Sequence, residues 1–252
     1  MRSRLAAWRA RIATAVLALF GARLEELPAP PESVELTPHG NTALDISRAE
    51  VAVRLPLEPD NAILHAMAGS YAIQDGELDA ALAAFNRAIQ LDGSVSLFYS
   101  GRALASLSKN AVEDARKDCE TALFLDRDNL EAYQLRGLMR ADARDYSGAN
   151  ADFMVIYRAR PSAARSISNL AWIRFLQKDA EVAFRLTEQA LQRDPDDATA
   201  HYVRGSIHAR RKDHPAAIRE YQAALANWPN IHSPYGQRYF EQMNGYIKRW
   251  AE

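Results

Sequence analysis

Small and apolar residues return along this chain every 34 positions between residues 62 and 231. Ala81, Ala115, Ala149, Ala183 and Ala217 fall on that step, and Ala88, Ala122, Ile156, Ala190 and Ala224 follow them seven residues later. Further upstream the same step joins Gly69, Ala103, Gly137, Ala171 and Gly205, while between the two small registers it joins Phe85, Cys119, Phe153, Thr187 and Tyr221. Pro59, Gly93, Arg127, Pro161, Pro195 and Pro229 mark the unit ends, and most of these are helix breakers. The units run 62–95, 96–129, 130–163, 164–197 and 198–231 without an insertion. Each predicts two helices of about 13 residues around a tight turn, marked by Asp75-Gly76-Glu77, Arg144-Asp145-Tyr146 and Lys178-Asp179. Small residues at unit positions 8 and 20 let the two helices approach closely, and the residue at position 24 fills the space beside them. One helix pair cannot bury its own apolar faces, so neighbouring units must stack into a continuous core.

This pattern resembles the tetratricopeptide repeat family over 170 of the 252 residues. The resemblance implies an all-α, right-handed superhelical solenoid of five helix pairs with capping helices. It also implies a non-enzymatic protein that binds a protein or peptide partner. In that architecture the first helix of each unit lines a concave face through unit positions 2, 5, 9 and 12. Read onto this chain, the groove candidates are Leu104, Leu107, Gln134, Leu138, Ser168, Trp172, Phe175 and Tyr202. They make an apolar centre with few charges. Some of the leucines could equally pack between repeats. Trp172 and Phe175 are expected to differ, because bulky aromatics at inward positions have little core to fill. One subset of the family clamps acidic tails of heat-shock chaperones with Lys, Asn and Arg. The matching positions here hold Ala66, Ser70, Gly101, Glu131 and Leu135, so that ligand is excluded.

A second register concerns charge. Units 2, 3 and 5 place Arg102, Arg136 and Arg204 at position 7, and the same units place Asp118, Asp152 and Glu220 at position 23. Units 1 and 4 hold Ala68 and Leu170 at the first of these positions and Ala84 and Leu186 at the second. Charge and counter-charge come and go together, which predicts an Arg–carboxylate pair between the two helices of a unit.

The ends read differently. Residues 41–61 predict an N-terminal capping helix with Leu44, Val51 and Leu55 toward the first repeat. Residues 232–252 predict a C-terminal capping helix on repeat 5, opened by Ser233-Pro234, with Tyr235, Tyr239, Phe240, Met243, Ile247 and Trp250 as its apolar stripe. Residues 1–27 carry Arg2, Arg4, Arg9, Arg11 and Arg23 around the apolar run 12–22. Eleven helical residues reach only about 16 Å, too short to cross a hydrocarbon core of about 30 Å. The segment fits either a retained amphipathic helix touching a membrane surface or a signal that is cut away. The first places the protein in the cytoplasm with peripheral membrane contact, the second in a periplasm or organelle. Residues 28–40, with Pro28, Pro30, Pro31 and Pro38, form an extended linker.

Composition then narrows the chemistry. With 31 Lys+Arg against 32 Asp+Glu, the net charge of −1 argues against a nucleic-acid partner. The charge is uneven: +3 over residues 1–27, −8 over 28–197 and +4 over 198–252. The single cysteine, Cys119, excludes an intramolecular disulfide and any cysteine-rich metal cluster. His201 and His208 lie seven apart on one helix face, about 10 Å, too far to share an ion, and core packing is their expected role. His39, His65, His214 and His232 have no ligand-spaced neighbour. No Gly-rich phosphate loop or nucleophile elbow is present. The sequence therefore calls for no cofactor, no metal and no catalytic residue.

Overall fold

The computed structural model describes residues 47–228 and 234–251. The arm 1–27, the linker 28–40, Leu44 and Ser233 lie outside the described residues. Twelve α-helices are present among those described: α1 (Arg48–Arg54), α2 (Ala62–Asp75), α3 (Leu78–Leu91), α4 (Ser96–Ser108), α5 (Val112–Leu125), α6 (Leu130–Asp142), α7 (Tyr146–Ala159), α8 (Ala164–Leu176), α9 (Ala180–Arg193), α10 (Ala198–Arg210), α11 (His214–Ala226) and α12 (Pro234–Trp250). They divide between two compact units. One takes in the described residues up to Ser106 together with Glu113–Asn129; the other holds Leu107–Val112 and everything from Leu130 onward.

The 34-residue step becomes a helix pair each time, and small residues set how tightly it closes. Ala81, Ala115, Ala149, Ala183 and Ala217 are all 0% exposed. At unit position 8, a Cβ placed on Gly69 would sit 2.9 Å from the Phe85 ring, one on Gly137 2.8 Å from Phe153, and one on Gly205 2.7 Å from Tyr221. Such contacts are too short for real atoms, so an aromatic at position 24 requires glycine at position 8. Units 2 and 4 solve the same space the other way, with Ala103 facing a small Cys119 and Ala171 facing Thr187; all four are 0% exposed. The two positions exchange volume at constant packing.

The turns inside the units share one device. Gly76, Asn110, Arg144, Lys178 and Lys212, all at position 15, take the left-handed conformation with φ between 62° and 78°. The second helix starts two residues later, and the residue between them is its cap. Asp145, Asp179 and Asp213 accept from the backbone N–H groups of Gly148, Val182 and Ala216 at 2.9, 3.3 and 3.2 Å, satisfying donors the helix leaves open.

In the first unit, α1 lays Val51 against Leu64 and Met67 of α2. In the second, one core cluster runs from Ala141 and Phe153 through Trp172 and Tyr202 to Met243. The charge register of the sequence is realised inside the helix pairs. Arg102 grips Asp118 with two hydrogen bonds at 2.6 and 2.8 Å, and Arg136 grips Asp152 at 2.6 and 3.1 Å, with Arg140 adding a third at 2.8 Å. In the last repeat Arg204 stands 3.4 Å from Glu220 as an ion pair without a hydrogen bond from Nε. Its place is taken by His201, whose Nδ1 lies 2.7 Å from the same carboxylate.

Candidate functional site

The inward residues of the second unit are placed by α6, α8 and α10, the first helices of repeats 3, 4 and 5. Leu138, Trp172, Phe175 and Tyr202 belong to one apolar cluster. Trp172 is 7% exposed, Phe175 5% and Tyr202 5%. The expectation that the two large inward aromatics find little core is corrected here, because both are buried, Trp172 under α12. Tyr239 of α12 stands edge-on to Trp172 at 6.2 Å and to Tyr202 at 5.0 Å between ring centroids. Trp228 closes on Tyr202 and Tyr239 from the side, at 5.9 and 6.1 Å. Edge-to-face pairs of this kind add to the stabilisation from burial itself. Phe175 is covered differently, by the Arg210 guanidinium 3.8 Å above its ring.

The polar inward residues are committed to bonds within the array. Gln134 accepts from Asn169 at 2.8 Å, joining α6 to α8. Ser168, fully buried, donates to Asp197 at 3.1 Å. Asp197 in turn accepts from the Ala200 N–H at 2.7 Å and so caps α10. Burial pushes the Asp197 carboxyl up, against the pull of those two donors. In the first unit Asn129 makes the equivalent link, donating to Ser96 and Ser100 at 3.2 and 3.4 Å. Of the remaining groove candidates, Leu107 is 4% exposed and Leu104 is half-buried.

His201 also departs from expectation. Its ring sits at a packing position, yet Nδ1 meets the Glu220 carboxylate at 2.7 Å and Nε2 meets the Pro195 carbonyl at 2.8 Å. Both partners accept, so only an imidazolium donates to both. The Glu220 hydrogen bond, opposed by burial, raises the His201 pKa from its ordinary 6.5. Burial works to raise Glu220, but the His201 hydrogen bond and the Arg204 charge outweigh it and hold the carboxyl low. Among the described residues, no three His, Cys, Asp or Glu gather to hold a metal ion.

A family model for the tetratricopeptide repeat matches residues 42–96, 66–133 and 185–230, more than half of the chain. The chain belongs to the tetratricopeptide repeat family. Repeats of this family generally mediate protein–protein interaction, and their fold is typically a non-enzymatic scaffold. A curated relative from Pisum sativum, translocon at the outer membrane of chloroplasts 64, is 32% identical over 108 residues, 43% of this chain and 18% of that relative's length. Among solved structures, YrrB, a TPR protein with an unusual peptide-binding site, has a TM-score of 0.50 at 17% identity, covering 75% of this chain and 97% of that one. Pseudomonas aeruginosa PilF gives 0.58 at 14% identity, covering 76% and 92%. A chain of the APC/C hetero-tetramer Cut9–Hcn1 gives 0.61 at 19% identity, covering 78% and 39%. At these identities the likeness to solved structures is one of fold.

Within this tetratricopeptide repeat chain, the residues that sequence reasoning missed at the inner face are Asp142, Trp228 and Arg238. Arg238 of α12 reaches back 96 positions to Asp142 at the end of α6, at 2.7 Å. Tyr239 was visible as part of an apolar stripe. Its seat on Trp172 had no counterpart in the repeat spacing, because α12 stands outside the period. No helix among the described residues is long and apolar enough to cross a membrane.

Proposed function

We propose that this protein is a non-enzymatic interaction module that receives a partner peptide or helix on the inward-facing first helices of its repeats. The observation that supports this most is chemical. Trp172 and Tyr202 present a joined apolar surface to an amphipathic helix of the chain itself, and Leu138 of the preceding repeat packs against the same cluster. Aromatic anchors in a desolvated pocket dominate peptide interfaces, and a helix in an apolar groove is an established recognition mode. That YrrB carries a peptide-binding site on a similar fold is consistent with this reading. Affinity capture with the full chain tests it. Leu138→Arg places a charge on the half-buried inward surface and is expected to lose the captured partners while the helical circular dichroism stays unchanged. Capture of the same partners by both chains contradicts the reading.

A second reading is favoured by the translocon relative and by the basic arm. In it the repeats are a scaffold held at a membrane surface through residues 1–27. Full-length protein then binds anionic vesicles and releases them as salt rises. A mature N-terminus found by mass spectrometry within residues 19–23 contradicts surface retention and places the protein beyond an export step.

A further inference from the structure

The last helix differs from every other in how it is held. Asp142, Trp172 and Tyr202 stand at unit positions 13, 9 and 5 of three successive first helices, so they trace a diagonal across the inner face of repeats 3 to 5. α12 lies along this diagonal. Arg238 pairs with Asp142, Tyr239 with Trp172 and Tyr202, and Gln242 meets the Tyr202 hydroxyl at 3.4 Å. These contacts come from one side of the helix, at successive spacings of one and three residues, which is how a bound amphipathic helix presents itself. At its other end, the Tyr246 hydroxyl lies 2.7 Å from His214 Nδ1, and Trp250 stacks on the His214 ring at 3.8 Å.

The grip is light for a helix of 17 residues. Met243 is its single fully buried side chain among those described. Arg238 and Asp142 are 53% and 39% exposed, and such surface ion pairs stabilise little. Trp250 remains 45% exposed despite its stack. Each array helix, by contrast, is closed by its own partner within the repeat, so release of α12 leaves the helix pairs intact. What release uncovers is the aromatic pair Trp172 and Tyr202.

We infer that the inner face of repeats 3 to 5 is a docking surface for an amphipathic helix bearing tyrosine and a neighbouring basic residue on its apolar stripe, and that α12 is the resident occupant which a partner helix of this chemistry displaces. This rests on the groove reading above and specifies its ligand. The tyrosine fills the space between Trp172 and Tyr202, and the basic residue finds Asp142. The short connection 227–233 between α11 and α12 keeps the resident helix at an effective concentration of the order of millimolar. An external helix therefore binds the intact protein weakly unless α12 is loosened, as the arithmetic of competition with an internal ligand requires.

The probe is a fluorescein-labelled peptide of residues 234–252, titrated by anisotropy into full-length chains. Tyr239→Ala in the protein removes the resident anchor and is expected to bind the peptide at least tenfold more tightly than wild type does. Arg238→Glu, which sets like charges at an exposed position against Asp142, gives a second loosened chain with the fold intact, and a gain in the same direction is expected. Adding Asp142→Arg to the Tyr239→Ala chain weakens the native peptide severalfold, and a peptide carrying Arg238→Asp recovers the loss. Equal affinity for wild type and both loosened chains overturns the inference, as does a charge swap without effect. If the peptide fails while partner capture still depends on Leu138, α12 is no ligand mimic and the groove reading stands. If neither capture nor peptide responds to Leu138→Arg, both fall.

Discussion

α8 and α12 meet at one ring contact, Trp172 against Tyr239, yet they belong to the molecule in different ways. α8 spans 13 residues and buries ten of them, including Ile167, Ala171, Ile173 and Phe175. α12 spans 17 and, among its described side chains, buries Met243 alone. α8 is enclosed by the second helices of its own and the preceding repeat and by the next first helix, so both its faces are covered. α12 offers one strongly amphipathic face and leaves the other in water. The difference teaches that position on the inner face does not decide whether a residue is structure or ligand-like; the number of covered faces does.

The largest test of this contrast removes one ring at a time. Trp172→Ala is expected to destabilise the protein by about 3–5 kcal/mol, as loss of a buried aromatic does, whereas Tyr239→Ala costs about 1.5 kcal/mol, the upper end for an aromatic pair. Denaturant unfolding of the full chain followed by circular dichroism reads both. Similar losses would merge α12 into the core. The second test compares ion pairs. Asp152 is 3% exposed and held by two arginines, so Asp152→Ala removes both charge-assisted contacts and is expected to lose about 2 kcal/mol. Arg238→Ala at the exposed α12 pair should change stability by less than about 0.5 kcal/mol.

A third pair of substitutions gives opposite signs. Gly137→Ala drives a Cβ into the Phe153 ring and costs about 1–2 kcal/mol. Gly245→Ala on α12 meets nothing within 4 Å and gains about 0.5–1 kcal/mol through helix propensity. Thermal melts of the two variants should move in opposite directions; a shift of the same sign would break the contrast.

The smallest effect is one of pH. His201 is raised above its ordinary 6.5, so its contribution is complete below that value and is lost as pH climbs through the folded pKa. Glu220 is lowered from 4.5, so its share is complete above 4.5 and is lost as pH falls through its folded pKa. The pair therefore stabilises most between about 4.5 and 6.5. His201→Gln should flatten the decline above that window by less than about 1 kcal/mol, measured as denaturant midpoints across pH. An unchanged profile would show that the imidazolium is not formed.

The repeat array was legible because its constraints repeat. Five alanines at one position, three Arg–carboxylate pairs and a glycine opposite each aromatic are local consequences of closing a helix pair, so a period exposes them. His201 escaped because its contact with Glu220 substitutes for an arginine contact in one repeat only. Trp172 escaped for a different reason. Its burial depends on where a helix outside the period returns, and the Arg238–Asp142 contact spans 96 positions with no pattern to announce it.

Native-state hydrogen exchange of the full-length protein addresses the central claim most directly, since it reads the opening of α12 and α8 in one experiment. Amides of residues 238–250 are expected to exchange through a local opening at least a hundredfold faster than those of 167–176, while the latter follow global unfolding. Equal protection of the two helices, lost together in denaturant, would contradict the account and make α12 one more layer of the core.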